Sequence, residues 1–265
     1  MIKGTLAYNA TTTPPSPATP PSVHAAKWVE ICPQEIYDTL SPKEVTRQNA
    51  LFELIETERE FVQDLETTIR LFIDPLSTLD TIPISRRADF ISSVFSNIPI
   101  LLSVNAKLLR RLLKRRAEKP VIDKIGDIFL NATSEFYPYI TYGSQQVFAK
   151  SILDHEKMSN PEFATFIQLA ERRPEMRKLT LESFLARPTT RLGRYLLLLK
   201  QVADKAADNN MDFVVLPQVI SSIRDIMSEM NVKVGIADNR LKLTQLNAKI
   251  EDGPGERQVI FACCF

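Results

Sequence analysis

The feature that most constrains this fold is one long helical pattern that begins at Ser41. Between residues 41 and 76, apolar side chains recur at spacings of three and four, at Leu51, Leu54, Ile55, Val62, Leu65, Ile69 and Phe72. Ser41 suits the N-cap, Pro42 the first helical position and Glu44 the position three residues after the cap. The pattern predicts a helix of about eight turns with one apolar stripe, and that length favours an elongated bundle over a compact α/β domain.

Helical periodicity continues through most of the chain. Further helices are predicted over about 86–117, 120–139, 141–157, Pro161–Arg173, 180–208 and 213–246. Strand-like alternation does not occur in the sequence before the last ten residues. We therefore predict an all-α fold, an elongated bundle of about six main helices.

The two ends of the chain differ in composition from this helical body. Residues 1–26 include "TTTPPSPATPPS" and contain too few large apolar side chains to offset the entropy of ordering, so we expect disorder there. The chain is divided into a disordered leader and lead-in at 1–40, a helical domain at 41–248 and a short tail at 249–265.

Composition argues against several classes of function. The 33 basic and 32 acidic residues nearly cancel, so no overall field recruits nucleic acid. Seven glycines form no phosphate-binding loop, and His24 and His155 lie in a polar leader and near a helix end, which disfavours a catalytic triad or a metal site. We expect no cofactor and no metal. Three cysteines suggest no disulfide framework and favour reducing, cytosolic surroundings.

The first long helix also carries a polar line almost opposite its leucines. Glu53, Thr57, Glu60 and Asp64 make up this line, which is either a solvated face or a surface for a partner. Glu58 is different because it lies inside the apolar stripe, where an unpaired carboxylate would be costly. It requires a basic partner from another helix. Arg187 and Arg191 are the candidates, and Arg187 is assigned to a structural ion pair with Glu58.

Residues 184–200, "FLARPTTRLGRYLLLLK", contain four consecutive leucines that one stripe cannot hold, because each helical residue advances by roughly 100°. The predicted inward stripe contains Leu192, Tyr195, Leu196, Leu199, Val202, Ala203 and Ala206. The opposite side presents Thr190, Arg194, Leu197, Gln201 and Lys205, with Leu198 on its flank. Either another helix covers Leu197 and Leu198, or these leucines and the neighbouring cations form a protein-binding surface. Pro188 is expected to start or kink this helix.

The segment "KLLRRLLKRRAEK" at 107–119 carries seven Lys and Arg residues against one Glu. One interpretation is a helix that contacts a membrane or nucleic acid. The other is the solvated end of a helix whose C-terminal dipole favours cations. The sequence pattern leaves both open.

Two segments together resemble a known family. "ALFELIETEREFVQDLE" and "FLARPTTRLGRYLLLLK" are similar to the first and third sequence blocks of the Dbl homology domain, the helical module of guanine nucleotide exchange factors for Rho-family GTPases. "MSEMNVKVGIADNRLKL" resembles the last long helix of that domain. The segments "LARPTTRLGRY" and "ADNRLKLTQLN" are most similar in sequence to the fungal subgroup that acts on Rho in cell-wall integrity signalling.

The resemblance implies a partner and a set of contact residues. The partner is a Rho-family small GTPase, with Glu53 reaching its first switch, the third block gripping its second switch and Asn231 supporting the latter. The implied GTPase-binding residues are Glu53, Thr57, Arg191, Arg194, Leu197, Leu198, Lys200, Gln201 and Asn231. The family performs no covalent chemistry of its own, because it promotes GDP release by binding the nucleotide-free GTPase best.

Two departures from the family pattern accompany these expectations. Leu196 stands where the family usually has proline, and "ERQVIFACCF" resembles the first strand of a pleckstrin homology domain, cut off. The resemblance implies a cytoplasmic protein recruited to the cell cortex, whose membrane contact is at most indirect, through the GTPase or a missing pleckstrin homology domain. The rival hypothesis is a non-catalytic helical scaffold or a degenerate GTPase-binding module.

Overall fold

The computed structural model describes the backbone of residues 27–251 and the side chains through residue 247. The disordered leader predicted at 1–26 and the tail from residue 252 onward lie outside these residues. The helices are α1 (Trp28–Ile31), α2 (Gln34–Tyr37), α3 (Pro42–Thr68), α4 (Asp74–Thr78), α5 (Ile84–Phe95), α6 (Ile98–Glu118), α7 (Gly126–Thr133), α8 (Pro138–Ser159), α9 (Pro161–Glu171), α10 (Leu181–Lys205) and α11 (Met211–Glu251). No strand occurs in this range, and the predicted all-α class is confirmed.

Helix α3 begins as its sequence predicts. The Oγ atom of Ser41 accepts a hydrogen bond from the backbone N–H of Glu44 at 3.2 Å, and Pro42 occupies the first helical position. The predicted helix of eight turns does not continue unbroken, because a π-helical turn at Ile69–Ile73 separates α3 from α4. A π turn closes hydrogen bonds from residue i to residue i+5.

The predicted helix at 86–117 is divided into α5 and α6. Ser96 ends α5 with a φ of 51°, which no α-helical residue adopts, and Pro99 lies in the first turn of α6. The predicted helix at 120–139 is reduced to α7. Backbone N–H groups of the preceding loop donate hydrogen bonds to side chains instead, from Ile122 to Gln48 at 3.0 Å and from Ile125 to Asp212 at 3.0 Å.

Helix α10 starts earlier than Pro188. Its N-cap is Thr180, whose Oγ accepts a hydrogen bond from the N–H of Ser183 at 3.3 Å. This start agrees with the helix predicted from about residue 180, and Pro188 lies inside α10. Of the two roles expected for Pro188, starting the helix is therefore excluded, and a kink stays a prediction. The cap, rather than the proline, determines where α10 begins.

The bundle is built around two long helices. Helix α3 packs against α10 and α6, while α11 packs against α8, α10 and α7. With 41 residues, α11 extends for about 60 Å at 1.5 Å per residue, and so the bundle is elongated. Gly143 of α8 permits a close approach to α11, because a Cβ atom there would lie 2.7 Å from Cγ of Met230.

Residues 27–40 include α1 and α2 and pack on the bundle. They belong to the segment 1–40 that was expected to be a disordered leader and lead-in. Trp28 is buried, and its indole Nε1 donates a hydrogen bond to the backbone carbonyl of Pro120 at 3.1 Å. Its ring lies 6.4 Å from that of Tyr37. One large aromatic side chain thus fixes the lead-in beside the loop that follows α6.

Candidate functional site

An exposed ion pair joins α3 to α10. Nη2 of Arg194 lies 3.0 Å from Oε1 of Glu53, and both side chains are 52% exposed. Leu197, Lys200 and Gln201 are exposed on the same helix as Arg194, with Leu197 at 69%. We call the set Glu53, Thr57, Arg194, Leu197, Lys200 and Gln201 the α3–α10 face.

The four consecutive leucines occupy different environments on α10. Leu199 is fully buried, Leu196 is half-buried and Leu197 is exposed. Leu198, expected on the outer flank, is only 4% exposed and belongs to the core, so its assignment to a binding surface was wrong. The reason is the 100° step between adjacent residues, which turns Leu198 inward while Leu197 points to solvent.

Beneath the face lies a buried ion pair that corrects two further expectations. Glu58 pairs with Arg191 at 2.6 Å, and both side chains are buried. Arg191 is therefore not an exposed contact residue, although its Nη1 donates to the Oγ1 of half-buried Thr57 at 3.2 Å. Arg187, assigned as the partner of Glu58, instead pairs with Asp64.

Asp64 was expected on the exposed polar line but is buried where α10 packs on that flank of α3. Both Arg187 and Arg177 form ion pairs with its carboxylate. Burial raises the pKa of Asp64 above its ordinary value, and the two guanidinium groups partly offset that rise. The acidic line is thus exposed at Glu53 and Glu60 and buried at Asp64.

A hydrogen-bonded network extends from Glu58 into the core. The hydroxyl of Tyr195 donates to Oε2 of Glu58 and also lies 3.0 Å from Oδ1 of Asn105, which accepts from Tyr139 at 2.9 Å. Burial raises the pKa of Tyr195 well above its ordinary value, and the nearby Glu58 carboxylate adds to the rise. The hydroxyl therefore remains protonated and serves as a donor to the ion pair.

Sequence reasoning missed Asn105 and Tyr139 as members of this network. The available signal was the position of Asn105, which follows Leu101 by four residues and therefore lies in the apolar stripe of α6. A buried amide requires hydrogen-bond partners, as a buried carboxylate does. Arg47, Gln48 and Asp212, which hold the loop before α7, were missed for the same reason.

Asn231 lies exposed on α11, which packs against α10. No hydrogen bond or ion pair among the described residues joins it to the α3–α10 face. The structure thus brings together the predicted contact residues of α3 and α10, whereas the contribution of Asn231 stays a prediction.

The chemistry available at the α3–α10 face is that of binding. Exposed leucine beside arginine and lysine offers apolar area and cations to another protein. Among the described residues, no group of three or more His, Cys, Asp and Glu side chains could hold a metal ion. Within the same range, no single helix is long and apolar enough to cross a membrane, and only the bent pair α5 and α6 passes that test together.

Comparison with known proteins identifies the family. A sequence model of the RhoGEF domain matches residues 50–231. The chain is 40% identical over 230 residues to Rho1 guanine nucleotide exchange factor 2 of Schizosaccharomyces pombe, and this alignment covers 87% of this chain and 20% of that protein. It is 42% identical over 229 residues to Rho1 guanine nucleotide exchange factor 1 of the same organism, with 86% and 17% covered.

The chain therefore spans about a fifth of the length of these relatives. A chain from the crystal structure of human RhoA in complex with the DH/PH fragment of PDZRhoGEF superposes with a TM-score of 0.77 at 23% identity, over 82% of this chain and 62% of that chain. That likeness concerns the fold. The match over residues 50–231 and the identity to the two Schizosaccharomyces pombe proteins show that this chain belongs to the RhoGEF, or Dbl homology, domain family.

Proposed function

We infer that this chain promotes GDP release from a Rho-family small GTPase by binding its nucleotide-free state best. The observation that carries this inference is the exposed pair Glu53 and Arg194, which joins α3 to α10 beside exposed Leu197. Family membership supplies the class of partner, since the two Schizosaccharomyces pombe relatives described above are named as Rho1 guanine nucleotide exchange factors.

The proposed mechanism is differential binding. Residues of the α3–α10 face make contacts with the GTPase that are strongest when the nucleotide has left, which lowers the barrier to GDP loss. Glu53 and Arg194 can separate from each other and bind groups of the GTPase instead. Breaking their ion pair costs only about 0–1 kcal/mol, because both side chains are exposed to solvent. The chain regulates a GTPase and forms no covalent intermediate.

Arg191 acts in this proposal as a positioning residue and not as a contact. Its guanidinium holds Glu58 at 2.6 Å and Thr57 at 3.2 Å, one turn from Glu53 along α3. The buried pair therefore orients the exposed half of α3 relative to α10. We further propose a cytoplasmic location with recruitment to the cell cortex, where any membrane contact is at most indirect through the GTPase.

The test is a nucleotide-release assay with the full chain. A Rho-type GTPase loaded with a fluorescent GDP analogue is mixed with excess unlabelled GTP, with and without the chain. We expect release to accelerate at least tenfold with the chain present. Binding to the nucleotide-free GTPase without any acceleration of release would instead support the rival hypothesis of a degenerate binding module.

A further inference from the structure

Helix α6 carries a basic face that the proposed function does not use. Arg110, Arg111 and Lys114 are exposed and follow one another at helical spacings of one, three and four. None of the three forms an ion pair among the described residues. We call them the α6 basic face.

Neighbouring cations on the same helix are neutralised. Lys107 pairs with Glu135, Arg115 with Asp127 at 2.8 Å, and Arg116 with Glu56 at 2.5 Å. The α6 basic face therefore keeps three cations that form no ion pair with the described residues. A shallow cavity of about 360 Å³ borders it, lined by Arg111, Lys114, Arg115, Glu118, Asp127, Ile128 and Asn131.

The described residues begin close to this face. Trp28 is buried and donates a hydrogen bond to the carbonyl of Pro120, two residues beyond the end of α6. Lys114 and Arg110 precede Pro120 by six and ten residues, which is about 9 and 15 Å along a helix. The hydrogen bond from Trp28 thus holds the start of the described residues within a short distance of the α6 basic face.

The sequence of residues 1–26, the leader, contains a repeated motif. Thr13, Ser16 and Thr19 recur every three residues, and each is followed directly by proline. Residues 1–26 contain no Asp or Glu, so the unmodified leader has no attraction for cations. Thr19 lies nine residues before Trp28 and Thr13 fifteen, which gives a reach of up to about 30 and 50 Å.

We propose that proline-directed phosphorylation of Thr13, Ser16 and Thr19 docks the leader onto the α6 basic face of the same chain. In each modification the hydroxyl oxygen of the side chain forms a bond to the γ-phosphorus of ATP. The bond from that phosphorus to ADP breaks, the hydroxyl loses its proton, and a protein kinase of the proline-directed class supplies the catalysis. The product is a phosphate monoester with a charge of about −1.5 to −2 at neutral pH.

The chemistry of the two partners is complementary. Arginine binds a phosphate through two parallel N–H···O hydrogen bonds, and the face has two arginines and one lysine for three phosphates. Docking within one chain needs only weak intrinsic affinity, because two segments joined by a short stretch of the same chain have an effective concentration on the order of millimolar. A dissociation constant of roughly 100 µM measured between separate molecules would therefore leave the leader mostly docked.

The first experiment measures binding of a peptide to the full unmodified chain. Two fluorescein-labelled peptides of residues 8–24, one with phosphate on all three sites and one without, are titrated by fluorescence anisotropy at two salt concentrations. We expect only the phosphorylated peptide to bind, with weaker binding at high salt. Equal binding of both peptides, or binding of neither, would overturn the proposal.

A variant and a matched control locate the site. The triple variant Arg110→Ala, Arg111→Ala, Lys114→Ala should weaken binding of the phosphorylated peptide at least tenfold. The control Arg172→Ala, Arg173→Ala, Lys178→Ala removes the same charges from another exposed cluster and should change binding less than twofold. If both variants weaken binding equally, the attraction is general and the α6 basic face is not the site.

The second experiment tests docking within the chain. The full chain is incubated with a proline-directed kinase and ATP, and mass spectrometry locates the added phosphates. We expect phosphates on Thr13, Ser16 and Thr19, and at least tenfold weaker binding of the labelled phosphopeptide, because the chain's own leader occupies the face. Undiminished binding, or no phosphate on the leader, would show the proposal to be wrong.

A last arm separates the leader from other anionic partners. Vesicles containing phosphatidylserine are sedimented with the wild-type chain and with the Arg110→Ala, Arg111→Ala, Lys114→Ala variant. Sedimentation that depends on these cations, together with no phosphopeptide binding, would assign the face to a membrane and refute docking of the leader. We expect no such dependence.

Discussion

The guanidinium of Arg191 lies 2.6 Å from the carboxylate of Glu58, with both side chains buried in the contact between α3 and α10. The other carboxylate oxygen of Glu58, Oε1, has no hydrogen-bond partner among the described residues. Arg191 is therefore the main compensation for a charge held in the core. This dependence makes the pair sensitive to the loss of either partner.

Arg191→Ala should lower the free energy of unfolding by about 3–5 kcal/mol, because it leaves Glu58 charged and buried without a counter-ion. Urea unfolding at neutral pH measures the change. Arg194→Ala is the control on the same helix, where loss of an exposed pair should cost about 0–1 kcal/mol. Similar losses for the two variants would contradict the distinction between buried and exposed pairs.

Glu53→Ala, Arg194→Ala and Lys200→Ala should each reduce nucleotide exchange more than about tenfold, since losing one charge-assisted contact costs roughly 1.5–3 kcal/mol. Their stability should change by only about 0.5 kcal/mol, because the side chains are exposed. GDP-release rates and thermal unfolding are measured on the same preparations. Glu66→Ala, an exposed acid elsewhere on α3, is the control and should retain wild-type exchange. If Glu53→Ala exchanges at the wild-type rate, the assignment of the face fails.

Leu197→Ala should reduce nucleotide exchange and Leu198→Ala should reduce stability, although the two residues are adjacent. Leu198 and the neighbouring Leu199 are in the core, so truncating either should cost about 2–5 kcal/mol of stability. Leu197 is exposed, so its truncation should leave stability within about 0.5 kcal/mol and reduce exchange. Denaturant unfolding and GDP release distinguish the two. A large loss of stability in Leu197→Ala would mean that this leucine packs on the bundle.

Gly143→Ala and Gly235→Ala form a second matched pair. A Cβ atom at Gly143 would lie 2.7 Å from Cγ of Met230, so this substitution should separate α8 from α11 and destabilise the fold by about 1–3 kcal/mol. A Cβ atom at Gly235 meets nothing within 4 Å, so alanine there should stabilise α11 by about 0.5–1 kcal/mol. Thermal unfolding compares the variants. Equal effects at both positions would argue against the close approach of the two helices.

Stability at acid pH should depend on Glu156. Hydrogen bonds from Arg86, at 2.8 Å for Nη2, and from Asn160 hold the pKa of Glu156 below its ordinary value of about 4.5. A lowered pKa in the folded state contributes stability above pH 4.5, and that contribution is lost as the pH falls through the folded pKa. Glu156→Gln should therefore cost about 1 kcal/mol at pH 7 and less as the pH falls below 4.5. Urea unfolding from pH 3 to 7 measures this difference, and a difference independent of pH would contradict it.

The positions of the helices follow from the sequence because they depend on local signals. Ser41 caps α3 where the pattern of Ser, Pro and Glu predicts, and the apolar spacing identifies the stripe of α3. The break between α5 and α6 had a local signal, since Pro99 interrupts the predicted helix at 86–117. The end of α5 at Ser96 had none, because a positive φ is uncommon for any residue other than glycine.

The site was predictable on its exposed side and only in part on its buried side, where Glu58 was expected to need a basic partner and Arg191 was one of two candidates. Glu53, Arg194 and Leu197 stand opposite apolar stripes that spacing alone identifies. Which guanidinium reaches which carboxylate depends on the crossing of α3 and α10, and this crossing gives Arg191 to Glu58 and Arg187 to Asp64. A single sequence contains no information on that relative placement, and so the assignment of Arg187 to Glu58 was wrong.

The π turn at Ile69–Ile73 has a consequence for comparing this chain with its relatives. One π turn contains one more residue than an α-helical turn of the same height, so every side chain after it is rotated by about 100° relative to an unbroken helix. In an alignment with a relative whose helix is uninterrupted here, a gap of one residue belongs between positions 69 and 73. Placed anywhere in Pro42–Thr68, the same gap would match core positions of α3 with surface positions of the relative.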